Sequence, residues 1–271
     1  MKFAVVTPVR NAGSLVSETI NSILSQDGLS TGKFELDYLV WDGESDDNTA
    51  DHARSATRGS ARVITGSDKS MYDGLAQAFR LVDGDIYFYL NAGDLLLPGA
   101  LSLVAQLFED KGLDWISGMN VHYAVNGTVV RANLPLRYRK SWIRQGIYGR
   151  VLPPVQQEST FWSKALMSKL DLDELASYRL AGDYFIWHSF SKYTEPTIVQ
   201  AALGGFRYHG VHLSADMLGY RKEMERVARP LSFFDKFKTA AESVAWHGPL
   251  RLKSMLNPSI LRYDPARDDW L

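Results

Sequence analysis

Asp85-Ile86-Tyr87-Phe88-Tyr89-Leu90 runs directly into Asn91-Ala92-Gly93-Asp94 and then Leu95-Leu96-Leu97-Pro98. A β-rich apolar run that stops at small and polar residues reads as a buried strand ending at Asn91, with Pro98 suited to open the next helix. In an open α/β sheet, ligands bind in the crevice outside the carboxyl ends of the strands. A carboxylate at that edge, here Asp94, has the chemistry to hold a hard divalent cation against a phosphate.

Working outward, Phe3 to Val6 reads as a first buried strand closed by Thr7-Pro8-Val9-Arg10-Asn11, and Ser14 is placed to cap a helix through Leu24. Phe34 to Trp41 is a second strand. The polar run Asp42 to Thr49 follows as a loop, then a helix to about Ala56. Arg62 to Thr65 is a third strand. Met71, Leu75, Ala78, Phe79 and Val82 make one helical stripe, and a helix runs from Pro98 to about Asp110. Alternation of this kind predicts an α/β fold with a doubly wound, mostly parallel sheet.

The pattern changes after residue 110. Trp115 to Val125 and Thr128 to Ala132 flank Asn126-Gly127, a type I′ hairpin signal. Residues 133–155 read as loop. Helices are expected near Ser163 to Leu170 and Asp183 to Ser191, with a strand near Thr197 to Ala201. Ser214 is suited to cap an amphipathic helix to about Arg229. The division expected is residues 1–118, residues 119–214 and a helical extension over residues 215–271, with the first two packed as one domain.

Composition narrows the function. The 271 residues are 45% hydrophobic and 23% charged, with a formal net charge of -1. No global basic field recruits nucleic acid or anionic lipid. The absence of cysteine excludes disulfides, thiolate metal sites and a cysteine nucleophile. The short apolar start is no signal peptide, and no apolar run reaches the roughly 20 residues of a spanning helix. A cytoplasmic protein is expected. Asn126-Gly127-Thr128 is a glycosylation sequon that reads better as a turn. No Gly-x-Gly-x-x-Gly follows a strand and no Gly-x-Ser-x-Gly is present. Gly28 to Phe34 lacks both the spacing and the Ser or Thr of a P-loop.

Thr7-Pro8, Asp42, Ser67-Asp68-Lys69 and Asn91 to Asp94 all fall at strand ends that a parallel sheet brings to one edge. Asp42 has the acceptors for a nucleobase imide or a ribose hydroxyl. Asp68 and Lys69 suit ribose and diphosphate, and Asp94 suits a bridging cation. Each alone is also ordinary turn chemistry; their recurrence at successive strand ends favours a site.

Val5 to Asn11, Val40 to Thr49, Asp68 to Gly74, Gly84 to Asp94 and Pro98 to Leu101 resemble, in order, the sequence blocks of family 2 glycosyltransferases. Gln156 to Trp162 and Leu180 to Trp187 extend the resemblance to about residue 190. It implies a GT-A fold and transfer of a sugar, with inversion, from a nucleotide-diphosphate sugar. It also implies roles: Thr7, Pro8 and Asp42 lining the nucleoside pocket, Asp68 and Asp73 near ribose and donor sugar, Asn91 to Asp94 as the metal motif, and Asp183 as the catalytic base. Two positions depart from the pattern. Asn91 and Gly93 stand where further acids are usual, leaving Asp94 the sole carboxylate for Mg²⁺ or Mn²⁺. Gly182 replaces the acid that often precedes the base.

Several residues carry weaker expectations. Gln157, Glu158 and Trp187 are candidates for acceptor or donor contact. Arg207, His209 and His212 are candidates to face phosphate, with structural histidines the alternative. The basic and aromatic stretch holding Arg131, Arg137, Tyr138, Arg139, Lys140, Trp142, Arg144, Tyr148 and Arg150 suits a glycan or lipid-linked acceptor, or is a solvated loop. Phe233, Phe234, Phe237, Val244 and Trp246 interleave with Lys236 and Lys238, a pattern for peripheral membrane contact or for packing back on the domain. No oligomerisation signal stands out. Two rival functions remain: a non-catalytic nucleotide-sugar-binding subunit of a partner enzyme, and a nucleotidyltransferase. The second lacks a Gly- and Lys/Arg-rich signature after the first strand.

Overall fold

Every residue from Phe3 to Val9 of β1 (Lys2–Val9) is buried, the pattern of a central strand covered on both faces. In the computed structural model, which describes residues 1–208, 216–230 and 233–271 but not the side chains of residues 233–238 and 241, β1 pairs in parallel with two strands. These are β2 (Glu35–Asp42) and β4 (Ile86–Tyr89); β2 in turn pairs in parallel with β3 (Arg62–Thr65). The crossovers carry α1 (Leu15–Leu24), α2 (Asp27–Ser30), α3 (Thr49–Thr57) and α4 (Met71–Phe79). This is the doubly wound first half that the alternating pattern predicts.

The strand β1 continues through Thr7-Pro8, where the sequence suggested an end. Pro8 is tolerated because alternate residues of a parallel strand bond to opposite neighbours. Val9 bonds towards β2 through Gly43 N–H, so Pro8 faces the β4 side, where pairing has already stopped at Val6↔Tyr89. β4 likewise ends at Tyr89, two residues before Asn91. The helix after it, α5 (Ala100–Lys111), starts past Pro98 because Gly99 takes a left-handed φ of 76° ahead of the first turn.

β6 (Trp115–Ser117), β9 (Thr160–Ser163) and β10 (Thr197–Ile198) complete the main sheet in the order β10-β6-β9-β4-β1-β2-β3, with β9 antiparallel to both β4 and β6. A second sheet, ordered β5-β11-β7-β8, joins β5 (Leu95–Leu96), β11 (Gly204–Arg207), β7 (Asn120–Tyr123) and β8 (Val129–Asn133). The run from Trp115 to Val125 is therefore two strands in different sheets. The break falls at Gly118, where a Cβ would meet the Ala201 carbonyl oxygen at 2.8 Å. The hairpin at Asn126-Gly127 is real but is not type I′. Only Gly127 has positive φ, Gly127 N–H bonds Ala124 O, and the ladder shifts register between His122 and Tyr123, which is a type I turn with a bulge.

Residues 133–155 are not a solvated loop. They hold α6 (Lys140–Arg144), and Tyr138, Trp142 and Tyr148 are buried. Tyr138 and Tyr148 pack on Trp246, at ring separations of 5.4 Å and 5.7 Å, near the end of α11 (Phe233–Trp246). Arg139 pairs with Glu242, and Arg137 bonds the Leu256 carbonyl at the end of α12 (Leu250–Leu256). These aromatic and basic residues fasten the C-terminal helices instead of presenting a sugar-stacking surface. On α11, Trp246 packs inward while Val244 is exposed.

The remaining elements are α7 (Lys164–Met167), α8 (Leu172–Ala176), α9 (Gly182–Phe190), α10 (Met217–Met224) and a small antiparallel pair, β12 (Tyr263–Asp264) with β13 (Asp269–Trp270). Helix α10 is capped by Asp216, which accepts from Gly219 N–H; Ser214, the expected cap, lies outside the described residues. Among the described residues, no helix is long and apolar enough to cross a membrane.

Candidate active site

The residues expected on the nucleoside side gather around Asp68. Asp42 ends β2 fully buried; its Oδ1 accepts from the Ser45 hydroxyl, and its Oδ2 has no hydrogen-bond partner. A buried acceptor left unpaired costs free energy that a ligand donor recovers. Asp68 Oδ2 accepts from Trp41 Nε1 at 3.0 Å. The carboxylate lies in a cradle of two glycines, where a Cβ on Gly43 or Gly74 would come within 2.5 Å or 2.7 Å of it. Burial pushes the Asp68 carboxyl upward, helped by the charges of Asp73 and Asp42 and opposed by Trp41 and Arg10. Asp73 accepts from Lys69 N–H at 2.9 Å, while the Lys69 side chain is exposed. Thr7 is buried, with its hydroxyl against Tyr38 Oη at 2.9 Å.

The residues expected at the reacting centre meet at a second cluster. Asp94 is 2% exposed and accepts from Arg207 N–H at 3.0 Å. Thr19 fixes the same turn: its hydroxyl accepts from Gly93 N–H at 2.9 Å and donates to Asp94 O at 2.8 Å. Gly93 takes φ 98°, a conformation an acid would adopt only under strain, which accounts for the missing third carboxylate of the motif. Burial drives the Asp94 carboxyl well above its usual range, and the nearby Glu158 raises it further.

Glu158 sits on the 3₁₀ turn Gln157–Ser159 that precedes β9. Gln157 before it donates to Tyr89 O and accepts from Asn91 Nδ2 at 3.4 Å, tying this turn to the end of β4. Burial lifts the Glu158 carboxyl to about 7, with Asp183 adding to the rise.

Asp183 occupies the first turn of α9. Burial brings its carboxyl up to about 6, against the opposing pull of Tyr184 N–H and the hydroxyls of Tyr220 and Tyr72. Tyr220 Oη lies 3.2 Å from both carboxylate oxygens. Tyr89 in turn hydrogen-bonds Tyr72. The glycine that replaces the usual acid at residue 182 has a steric reason: a Cβ there would collide with the Tyr72 ring.

The first turn of α4 joins the two clusters. Tyr72 reaches Asp183, Asp73 holds Lys69 N–H, and Gly74 lies under Asp68. The N-cap Ser70 donates to Tyr178 O at 2.7 Å, five residues before Asp183. Carboxylates from residues 42, 68, 94, 158 and 183 are thus linked through direct neighbours.

The remaining sequence candidates divide. Trp187 is a core residue, stacked on Trp115 at 5.6 Å and edge-on to Trp162. Truncating so buried an indole would cost about 3–5 kcal/mol. Arg207 stays at the Asp94 cluster: it is buried, its charge opposes the rise of the Asp94 carboxyl, and its guanidinium lies on Glu18 at 2.7 Å. His209 and His212 lie outside the described residues. Tyr72, Tyr89 and Tyr220 were not singled out by sequence reasoning. Tyr72 stands inside a block that resembles the family, whereas nothing in the pattern around Tyr220 distinguishes it.

A metal fits this donor set only in part. Asn91 Oδ1 is buried without a partner, three residues from Asp94, and hard cations take such amide and carboxylate oxygens. Among the described residues no three His, Asp or Glu side chains gather to hold an ion unaided, so a cation held here would need diphosphate and water to complete its coordination.

A doubly wound, mostly parallel sheet with acids at its strand-end edge and a half-buried carboxylate, Asp183, on a later helix is the architecture of the GT-A class of fold. The chain belongs to glycosyl transferase family 2, whose sequence model matches residues 4–166, more than half of the chain. Its structure is similar to that of S. aureus TarS 1-349 in complex with UDP-GlcNAc, with a TM-score of 0.62, 18% identity, and coverage of 91% of this chain and 72% of that one. It is also similar to the mannosyltransferase PcManGT from Pyrobaculum calidifontis in complex with GDP-Man and Mn²⁺, with a TM-score of 0.59, 15% identity, and coverage of 94% and 73%. In sequence it is 27% identical over 108 residues to the uncharacterized protein MT1568 of Mycobacterium tuberculosis (strain CDC 1551 / Oshkosh); the match takes in 40% of this chain and 32% of that relative's length.

Proposed function

We propose that this glycosyltransferase moves a sugar, with inversion, from a nucleotide-diphosphate sugar to a hydroxyl of a glycan or lipid-linked acceptor, in surface polysaccharide or glycolipid synthesis at the cytoplasmic side of a membrane. One observation carries the reading: Asp183, half-buried and held by Tyr72 and Tyr220, neighbours Glu158, which in turn neighbours Asp94.

The chemistry follows from those placements. Asp183 takes the proton of the acceptor hydroxyl as its oxygen bonds the anomeric carbon, a contribution of about 10²–10⁴-fold. The bond from that carbon to the diphosphate breaks, and its electron pair leaves with the phosphate oxygen. Glu158, uncharged until the pH nears 7, leaves Asp183 the better-ionised acid beside it. Asp42 and Asp68 orient nucleoside and ribose, with Thr7, Pro8, Lys69 and Asp73 around them. Asp94 and Asn91 are the residues to hold Mg²⁺ or Mn²⁺, which would neutralise charge on the departing diphosphate.

The test is nucleoside-diphosphate release from UDP-GlcNAc, UDP-glucose and GDP-mannose, with and without acceptor extract, in Mg²⁺, Mn²⁺ or chelator. Metal-stimulated release that Asp183→Asn and Asp94→Ala each lower at least 100-fold is expected. Nucleotide-sugar binding without turnover by the wild type would favour the non-catalytic subunit, and full activity in Asp183→Asn would remove the base assignment.

A further inference from the structure

Helix α10 and the turn after it run along the segment that leads into Asp183, and residues spaced three apart make the contacts. Tyr220 reaches the Asp183 carboxylate. Glu223 accepts backbone N–H bonds from Arg179 at 3.1 Å, Leu180 at 2.8 Å and Ala181 at 2.9 Å. Arg226 bonds the Ser177 carbonyl at 3.1 Å and Glu174 at 2.6 Å, and lies 4.0 Å over the Tyr178 ring. Gly219 leaves room for both the Asp216 cap and this segment, since a Cβ there would collide with Asp216 Oδ2 and meet the Leu180 side chain at 2.6 Å.

We infer that Tyr220 and Glu223 are positioning residues for the catalytic base: α10 clamps residues 179–183 so that the Asp183 carboxylate is held in one orientation. The inference rests on the reading of Asp183 as base. It assigns a role in the reaction to the chain beyond residue 215, which lies outside the stretch matched by the family model.

The physics is that of a helix start. The N–H groups ahead of the first turn have no partners within the helix, and α9 has no side-chain cap at Ala181. The remote Glu223 supplies the acceptor for the N-cap N–H of Ala181 and for the two N–H groups before it, with a negative charge favoured at that helix end. Tyr220 then adds a donor that favours the ionised carboxylate. The titratable groups facing Asp183 are Tyr72 of α4, Tyr89 of β4, Glu158 of the 3₁₀ turn and Tyr220 of α10; Glu223 flanks its helix start.

Two measurements test the clamp on the full chain. Amide hydrogen exchange in Glu223→Gln should accelerate about 10-fold or more across residues 179–181, with the melting temperature close to wild type, because the neutral amide removes the charge that strengthens all three bonds to Oε2 and replaces the Oε1 acceptor facing Arg179 N–H with a donor. Unchanged exchange there would overturn the anchoring role, whether or not a donor sugar has been found. On the best substrate among UDP-GlcNAc, UDP-glucose and GDP-mannose, Tyr220→Phe should move the acidic limb of the kcat profile up by roughly half a pH unit to one unit. The donor KM should stay within about twofold, since only the base is perturbed. An unmoved limb would overturn the part assigned to Tyr220. Full activity of Asp183→Asn would overturn the base reading alone, and the exchange result would still decide whether Glu223 anchors the segment.

Discussion

Gly204 of β11 lies directly against the backbone carbonyl of Glu158, leaving no space for a side chain. The contact joins the second sheet to the acidic turn, and Ser159 reinforces it by donating to Gly204 O at 2.8 Å. Gly204→Ala must therefore push the Glu158 turn out of place, because the obstructing atoms are backbone. A stability loss of about 1–3 kcal/mol is expected, and turnover should fall with it. Thermal melting and initial rates check this; an unchanged melting temperature would refute it.

Thr19 supports the Asp94 turn from α1 with two hydrogen bonds and is itself fully buried. Thr19→Val keeps the volume but strands Gly93 N–H, at a cost of about 1–3 kcal/mol. A weakened response of nucleoside-diphosphate release to added Mn²⁺ should accompany the loss, measured as the metal concentration for half-maximal rate.

Glu158 gives the fold a pH dependence of definite sign. Its folded pKa of about 7 lies above the usual 4.5, so its contribution to stability is present below about 4.5 and lost as pH rises through about 7. Asp183, raised to about 6, acts in the same direction. Glu158→Gln should then stabilise the protein above pH 7 by roughly 1–3 kcal/mol while lowering activity. Denaturant melts at pH 5 and pH 8 decide the matter: a wild type no less stable at pH 8, or a variant that shows no gain there, would contradict it.

The rate should carry the opposite pH trend. A base with a carboxyl pKa near 6 is protonated and inactive below it, so kcat should climb as pH passes about 6 and level off above. A profile flat from pH 5 to pH 8 would rule out Asp183 as the titrating base.

Much of the first half was legible because each of its elements carries a local signal. The strand at Arg62–Thr65 and the Ser70-capped helix fall where the pattern puts them. The errors have non-local causes. The register of β1 against β4 decides that Pro8 is harmless, and Gly118 breaks a strand because the Ala201 carbonyl presses on it. Tyr138 and Tyr148 read as loop residues because the Trp246 ring that buries them comes from the far end of the chain.

The amino-acid order alone set the α/β alternation and the strand-end acids Asp42, Asp68 and Asp94, since periodicity and turn chemistry act over a few residues, and Asp183 was nominated by resemblance alone. Folding in three dimensions decided which of those acids share a buried neighbourhood, raised Glu158 from a weak candidate to a central one, and brought Tyr220 and Glu223 to the start of α9. Burial, charge proximity and backbone capping across long sequence separations depend on where chain segments pack, and no local pattern encodes them.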